Sequence, residues 1–202
     1  MEKTFPFNIV LLGGPGCGKG TQARRLAKHY DLVHFSTGAL FRHEMKLETV
    51  VGKQARLLID NGNYCPDDMA LNMLNEHIAA AEVLRGFIFD GVPRTLKQAK
   101  MMDGVNYLNP IPVTLVINLQ VDEEEITRRI QKRAIEEGRS DDQLAVLPQR
   151  IANYYILTEP LIDYYSHQNR LIQINGMNSV EEVFQDIIAK IEEFLHTKPA
   201  TM

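Results

Sequence analysis

Nine consecutive residues, Gly13-Gly14-Pro15-Gly16-Cys17-Gly18-Lys19-Gly20-Thr21, are the first candidates for chemistry. Glycines let backbone N–H groups converge on an anion with no Cβ in the way, and a helix starting there adds partial positive charge. Lys19 supplies a mobile point charge for outer phosphate oxygens. The strict phosphate-loop pattern sets Ser or Thr directly after the lysine; here Gly20 intervenes and Thr21 follows. A glycine turn without chemistry is the plain alternative. A lysine at this spacing, between an apolar run and a helical pattern, favours the phosphates of a nucleoside triphosphate. Cys17 reads as a small packing residue, with a reactive thiol at a helix N-terminus as the alternative.

Two further groups of residues fit that chemistry. Asp90 ends the apolar run 87–89, where open α/β sheets place ligands, although an aspartate before a glycine is also a common turn residue. Arginines make up 12 of the 22 basic residues. Arg129 and Arg133 are four apart and share a helix face. Glu125, four residues before Arg129, could pair with it on a solvated face, and for those residues alone the two readings are level. With Arg139 and Arg150 further on, an arginine cage around phosphate oxygens becomes the better reading.

The elements that must position these residues are legible as periodicity. Apolar runs without polar alternation at 8–12 (NIVLL), 87–89 (FIF), 113–118 (VTLVIN) and 171–174 (LIQI), with a shorter one at 33–35, predict strands covered on both faces. That means a parallel sheet with helices on either side, an α/β fold. Helices are predicted over about 20–28 and over 122–137, where four acids meet the positive end of the helix dipole. A third starts at Ser179, which forms a capping-box pattern with Glu182, followed by Val183, Ile187, Ile191 and Phe194 at helical spacing. Two stretches look inserted: a helical one over 36–65 with an Asn61-Gly62 turn, and a polar patch over 136–142. Met101, Met102 and the tyrosine pairs 154/155 and 164/165 read as packing residues.

Composition narrows the class. The chain has 202 residues, 45% apolar and 24% charged, enough for one ordinary globular core. Its net charge of −4 gives no basic footprint for nucleic acid. Cys17 and Cys65 are the only cysteines and lie far apart, so neither a structural zinc site nor a disulfide framework is expected. No apolar run is long enough to span a membrane, and residues 1–7 do not read as a signal peptide. A cytoplasmic protein is expected, with 197–202 frayed.

The motifs GGPGCGKGTQ (13–22), HFSTGALFR (34–42), FDGVPRTLKQA (89–99), RRIQKR (128–133), GRSDD (138–142) and RIANYYILTEPLIDYY (150–165) follow one another along nearly the whole chain. In order and spacing the sequence resembles the adenylate kinases, within the nucleoside monophosphate kinases. The resemblance implies a three-layer phosphate-loop sandwich with a parallel sheet of about five strands. The core would be 1–35, 66–132 and 143–202, with two mobile inserts: an AMP-binding segment (36–65) and a short lid (133–142) without zinc cysteines. It implies reversible transfer of the γ-phosphoryl of Mg-ATP to AMP. Gly14, Pro15, Gly16, Cys17, Gly18, Lys19, Gly20 and Thr21 would hold ATP phosphates with Arg129 and Arg133, and Asn178 would contact the ATP base. Arg42, Arg139 and Arg150 would hold the monophosphate and the transferred group, and Arg94 the phosphates of both substrates. Asn63, Tyr64 and Cys65 would line the AMP cleft through their backbone, together with Gly91, Val92 and Pro93. Thr37 and Gln98 mark adenine recognition, and Asp90 would hold Mg²⁺ through water. Lys19, Arg94, Arg133, Arg139 and Arg150 form the implied catalytic set, in a monomer.

The chain departs from the family pattern at Ala39, where an aspartate that helps order the Mg²⁺ water shell is usual. Asp68 is a candidate to compensate. A UMP/CMP or broader monophosphate kinase stays open as an alternative, as does a catalytically weak adenine-nucleotide-binding regulatory module.

Overall fold

The computed structural model describes residues 7–80, 85–104 and 111–197; the C-terminal residues expected to fray lie, from 198 on, outside the described residues, as do 1–6. Five parallel strands, β1 (Ile9–Leu12), β2 (Val33–Ser36), β3 (Phe87–Asp90), β4 (Leu115–Gln120) and β5 (Leu171–Asn175), form one sheet in the order β2-β3-β1-β4-β5. Each apolar run holds a strand. β4 starts two residues later than the run 113–118 predicts, because Thr114 and Leu115 both donate their N–H to Asn8 O (2.8 and 3.2 Å) and pairing with Ile9 begins only at Leu115.

The helices are α1 (Lys19–Tyr30), α2 (Thr37–Lys46), α3 (Val50–Ile59), α4 (Asp67–Ala80), α5 (Leu96–Met102), α6 (Glu123–Glu137), α7 (Leu147–Asn153), α8 (Pro160–Ser166) and α9 (Val180–Thr197). The strands are apolar on both faces because both are covered. Ile9, Leu11, Ile88, Leu115, Ile117 and Leu119 pack with Ala23 and Leu26 of α1 and with Val183, Ile187 and Ile191 of α9. Val10, Leu12, Phe87, Phe89 and Val116 pack on the other side with Leu71 and Leu74 of α4, Met102 of α5, and Leu161 and Tyr165 of α8. Each aliphatic side chain fully buried in these layers contributes about 1.5–3 kcal/mol. α2 and α3 form a hairpin whose Phe41, Met45 and Ala55 share a small core with Ala70 and Met73 of α4.

Helix starts follow local chemistry. Ser179 and Glu182 exchange the two capping-box bonds at α9 (3.0 and 3.3 Å), and Asp122 accepts from Glu125 N at α6 (2.8 Å). Met102 and Tyr165 are core, whereas Tyr155 reaches outward to donate to Glu123 Oε1 (2.9 Å). No helix among the described residues is long and apolar enough to cross a membrane.

The sheet order reverses at β1: the chain moves from it toward β3 and β2, then returns to the other side for β4 and β5. Loops leaving the carboxyl ends of the central strands therefore diverge and open a crevice there.

Candidate active site

A cleft of about 770 Å³ occupies that crevice. Its floor is the loop between β1 and α1. Gly18 caps α1 in a left-handed conformation with no side-chain bond, and the helix carries no acid in its first turn. The positive end of the helix thus meets the cleft uncompensated, as an anion site requires. Lys19 Nζ donates to Gly13 O (2.6 Å) and Gly14 O (2.8 Å) and lies 3.4 Å from Cys17 Sγ. Cys17 is buried, as a packing residue should be. Gly20 has a steric reason: a Cβ there would come 3.2 Å from Asp90 Oδ2.

Asp90 closes β3 at the same edge. Burial opposes its charge, but the His34 imidazole, 3.9 Å from Oδ2, and the charges of Lys19 and Arg94 outweigh it and hold the carboxyl below the usual aspartate range. Ser36 Oγ donates to the same oxygen at 3.4 Å.

Arginines form the walls. Arg129 pairs with Glu125 and also reaches the cleft: Nε donates to Glu125 Oε1 (2.7 Å), while Nη2 donates to Gly176 O (2.9 Å) and Nη1 to Cys17 O (3.4 Å). Bonds from Arg128 and Arg129 pull Glu125 down to a pKa of about 2. Arg133 forks onto Asp142 through two 2.6 Å bonds, and Arg150 Nη1 reaches Asp142 Oδ1 and Asp141 O, both at 2.7 Å. Arg139 pairs with Glu137 (2.6 Å). The Arg42 guanidinium has no hydrogen-bond partner among the described residues. Burial, then repulsion from Arg139, lowers its pKa; Asp141 opposes this, while Arg133 and Arg94 add to it. Ten lysines and arginines line the cleft against five carboxylates, in a chain of net charge −4. Cations packed this way repel one another and suit a polyanion.

On the side of α2, Thr37 Oγ1 donates to Gly91 O (2.9 Å). Gly91 has φ 92°, and a Cβ there would meet Thr37 Oγ1 at 2.4 Å, so two constraints select glycine. Gln98 is buried; its Oε1 accepts from Arg94 N (2.7 Å) and its Nε2 donates to Asp67 Oδ1 (2.8 Å). Those partners fix which end is oxygen, and leave one N–H and one lone pair unused. Asn63, Tyr64, Cys65 and Pro93 line the cleft, as does Asn178. Burial pushes the Cys65 thiol up to about 11. Val92 lies in the core beneath; Pro15 also lines the cleft, and with Gly14 it borders a smaller cavity of about 350 Å³.

The family model described as adenylate kinase matches residues 11–170. The chain belongs to the adenylate kinase family. It is similar to the adenylate kinase of Parabacteroides distasonis, 41% identical over 177 residues covering 88% of this chain and 93% of that one. The adenylate kinase of Nitrobacter winogradskyi is 40% identical over 185 residues (89% and 90%), and that of Maricaulis maris 40% over 186 (92% and 99%).

Against the family pattern, Ala39 lies exposed on the cleft wall, its N–H donating to the α2 cap Ser36 Oγ (3.4 Å), and brings no carboxylate. Asp68, expected to compensate, does not line the cleft: it is exposed on α4, 3.4 Å from Lys97. Helix register puts it on the outer face, away from Asp67, which turns inward to Thr95 and Gln98. Sequence reading also missed Asp67 and Asp142 as partners of cleft residues.

Proposed function

We propose that this chain transfers the γ-phosphoryl of ATP to AMP, reversibly, giving two ADP, and does so as a monomer. The observation that carries the reading is the convergence of Lys19 with Arg42, Arg94, Arg133, Arg139 and Arg150 on one cleft floored by the glycine loop. Phosphoryl transfer loads charge onto non-bridging oxygens, so the protein's task is positioning and charge compensation. In this reading the loop N–H groups, Lys19, Arg129 and Arg133 hold the ATP phosphates, with Asn178 beside the base. Arg42, Arg139 and Arg150 hold the AMP phosphate, and Arg94 spans the two. No general base is required, because the attacking phosphate oxygen is already anionic.

The AMP base would lie between Thr37 and Gln98, along Asn63, Tyr64, Cys65, Gly91 and Pro93. The spare N–H and lone pair of Gln98 complement adenine N1 and its amino group. Mg²⁺ fits the acidic chemistry here as a hydrated ion: Asp90 is anionic and faces the loop, and no group of three or more metal-ligating side chains occurs among the described residues. Asp90 would hold the ion through water, which suits a cation that dehydrates reluctantly. Bound there, it would offset phosphate charge.

Closure of the two inserts excludes water from transfer. Support comes from a bond between the two inserts, Ser140 Oγ donating to Asp60 Oδ1 (2.6 Å), while Asn153 Nδ2 of the core adds one to Gly62 O (2.9 Å). An exposed hydrogen bond is worth about 0.5–1.5 kcal/mol. Ser140→Ala is therefore expected to raise the AMP KM about threefold with kcat within about twofold; unchanged steady-state kinetics would remove the latch.

The reading itself is tested by measuring ADP formation from ATP with AMP, CMP, UMP and GMP in parallel. AMP preference is expected. Preference for CMP or UMP would move the chain to the pyrimidine kinases, and nucleotide binding without turnover would make it a regulatory module.

A further inference from the structure

We propose that the Tyr64 side chain is a positioning residue that presets the Arg94 guanidinium, with Thr158 locking the pair; this rests on the phosphoryl-transfer reading. Arg94 is fixed along its length. Its N–H goes to Gln98 Oε1 (2.7 Å), its carbonyl accepts from Thr158 Oγ1 (3.0 Å), and its Nε donates to Gly91 O (2.9 Å). The guanidinium then lies over the Tyr64 ring, Cζ 4.5 Å from the centroid, in cation–π geometry. Neither Nη is bonded to another described residue, so the two outward groups remain as donors for phosphate oxygens.

Tyr64 itself is held from below. Its hydroxyl lies 3.2 Å from Thr158 Oγ1, the same buried atom that donates to the Arg94 carbonyl. Thr158 ends a single π turn (Tyr154–Thr158) between α7 and α8, a feature frequent at functional sites. One threonine thus ties the hairpin segment's Tyr64 to the loop that carries Arg94. A long, flexible guanidinium loses rotamer freedom whenever it grips a phosphate; a ring closing one face removes that freedom beforehand, and preset donors are those that accelerate transfer.

The test is steady-state kinetics in ATP and AMP for the natural protein, Tyr64→Phe, Tyr64→Leu, Tyr64→Met, Arg94→Ala and the double variant Arg94→Ala/Tyr64→Leu, each checked by thermal melting. Tyr64→Phe keeps the ring but gives up the hydroxyl contact with Thr158, so it should lose less kcat than the ring-less variants. Tyr64→Leu should lose about tenfold in kcat, the rate equivalent of one cation–π contact, with Tyr64→Met carrying the same expectation should the leucine variant unfold. In the Arg94→Ala background the further loss should fall below about twofold, since coupled residues are not additive. Natural kcat in a folded ring-less variant, or an equal loss in both backgrounds, overturns the role of Tyr64 and leaves phosphoryl transfer standing. Absence of turnover in the natural protein overturns both.

Discussion

Arg94→Ala is expected to lower kcat at least about a hundredfold while the fold persists. Removing one preset donor from a site of developing charge typically costs that much, and Arg94 sits where the two nucleotides would meet. Its two unbonded Nη groups can bind a phosphate oxygen pair in the bidentate manner that lysine lacks, so Arg94→Lys should recover only part of the loss. Because Arg94 anchors its loop chiefly through backbone atoms and Nε, the alanine variant should melt within a few degrees of the natural protein. Steady-state ADP formation and a thermal scan check both halves; near-natural kcat in a folded variant would take Arg94 out of the transfer. Lys19→Ala belongs to the same class, with its charge at the other end of the same path.

Asp142→Ala should have the largest effect on stability. Its side chain is fully buried between Arg133 and Arg150. Burial works against its charge, but the bonds from Arg133 and Arg150 prevail and keep its pKa below the ordinary value. Taking one member from such a group leaves partly buried like charges facing each other, a loss of roughly 3 kcal/mol, or about 6–12 °C in Tm for a chain of this size. Asp142→Asn should lose less. The pH dependence has a definite sign: a depressed folded-state pKa gives stability that is present above about pH 4, the unfolded aspartate value, and fades as pH falls through the folded value. The natural protein should therefore soften in acid through that range more steeply than Asp142→Asn, and equal slopes would deny Asp142 this role.

What the sequence made legible was whatever local periodicity and composition encode. The unalternated strands announced a covered parallel sheet, Ser179 with Glu182 announced a helix start, and the glycines of Gly13 to Thr21 announced a loop fit for an anion. Positions that depend on partners distant along the chain were not legible. Nothing local distinguishes Asp67 from Asp68, yet one orients Gln98 and the other pairs with Lys97 in solvent. The Tyr64 ring, Thr158 and Arg94 come together from three segments. Arg129 kept two readings because its spacing is compatible with both: its (i, i+4) partner Glu125 and its cleft contacts use different nitrogens.

In the transfer proposed above, both nucleotides meet inside one water-excluding cleft. That meeting is tested most directly by following the γ-phosphoryl of labelled ATP in a single turnover with unlabelled AMP. The label should appear in ADP derived from AMP, with little free phosphate. Label released mainly as inorganic phosphate, or retained on ATP at saturating AMP, would contradict it.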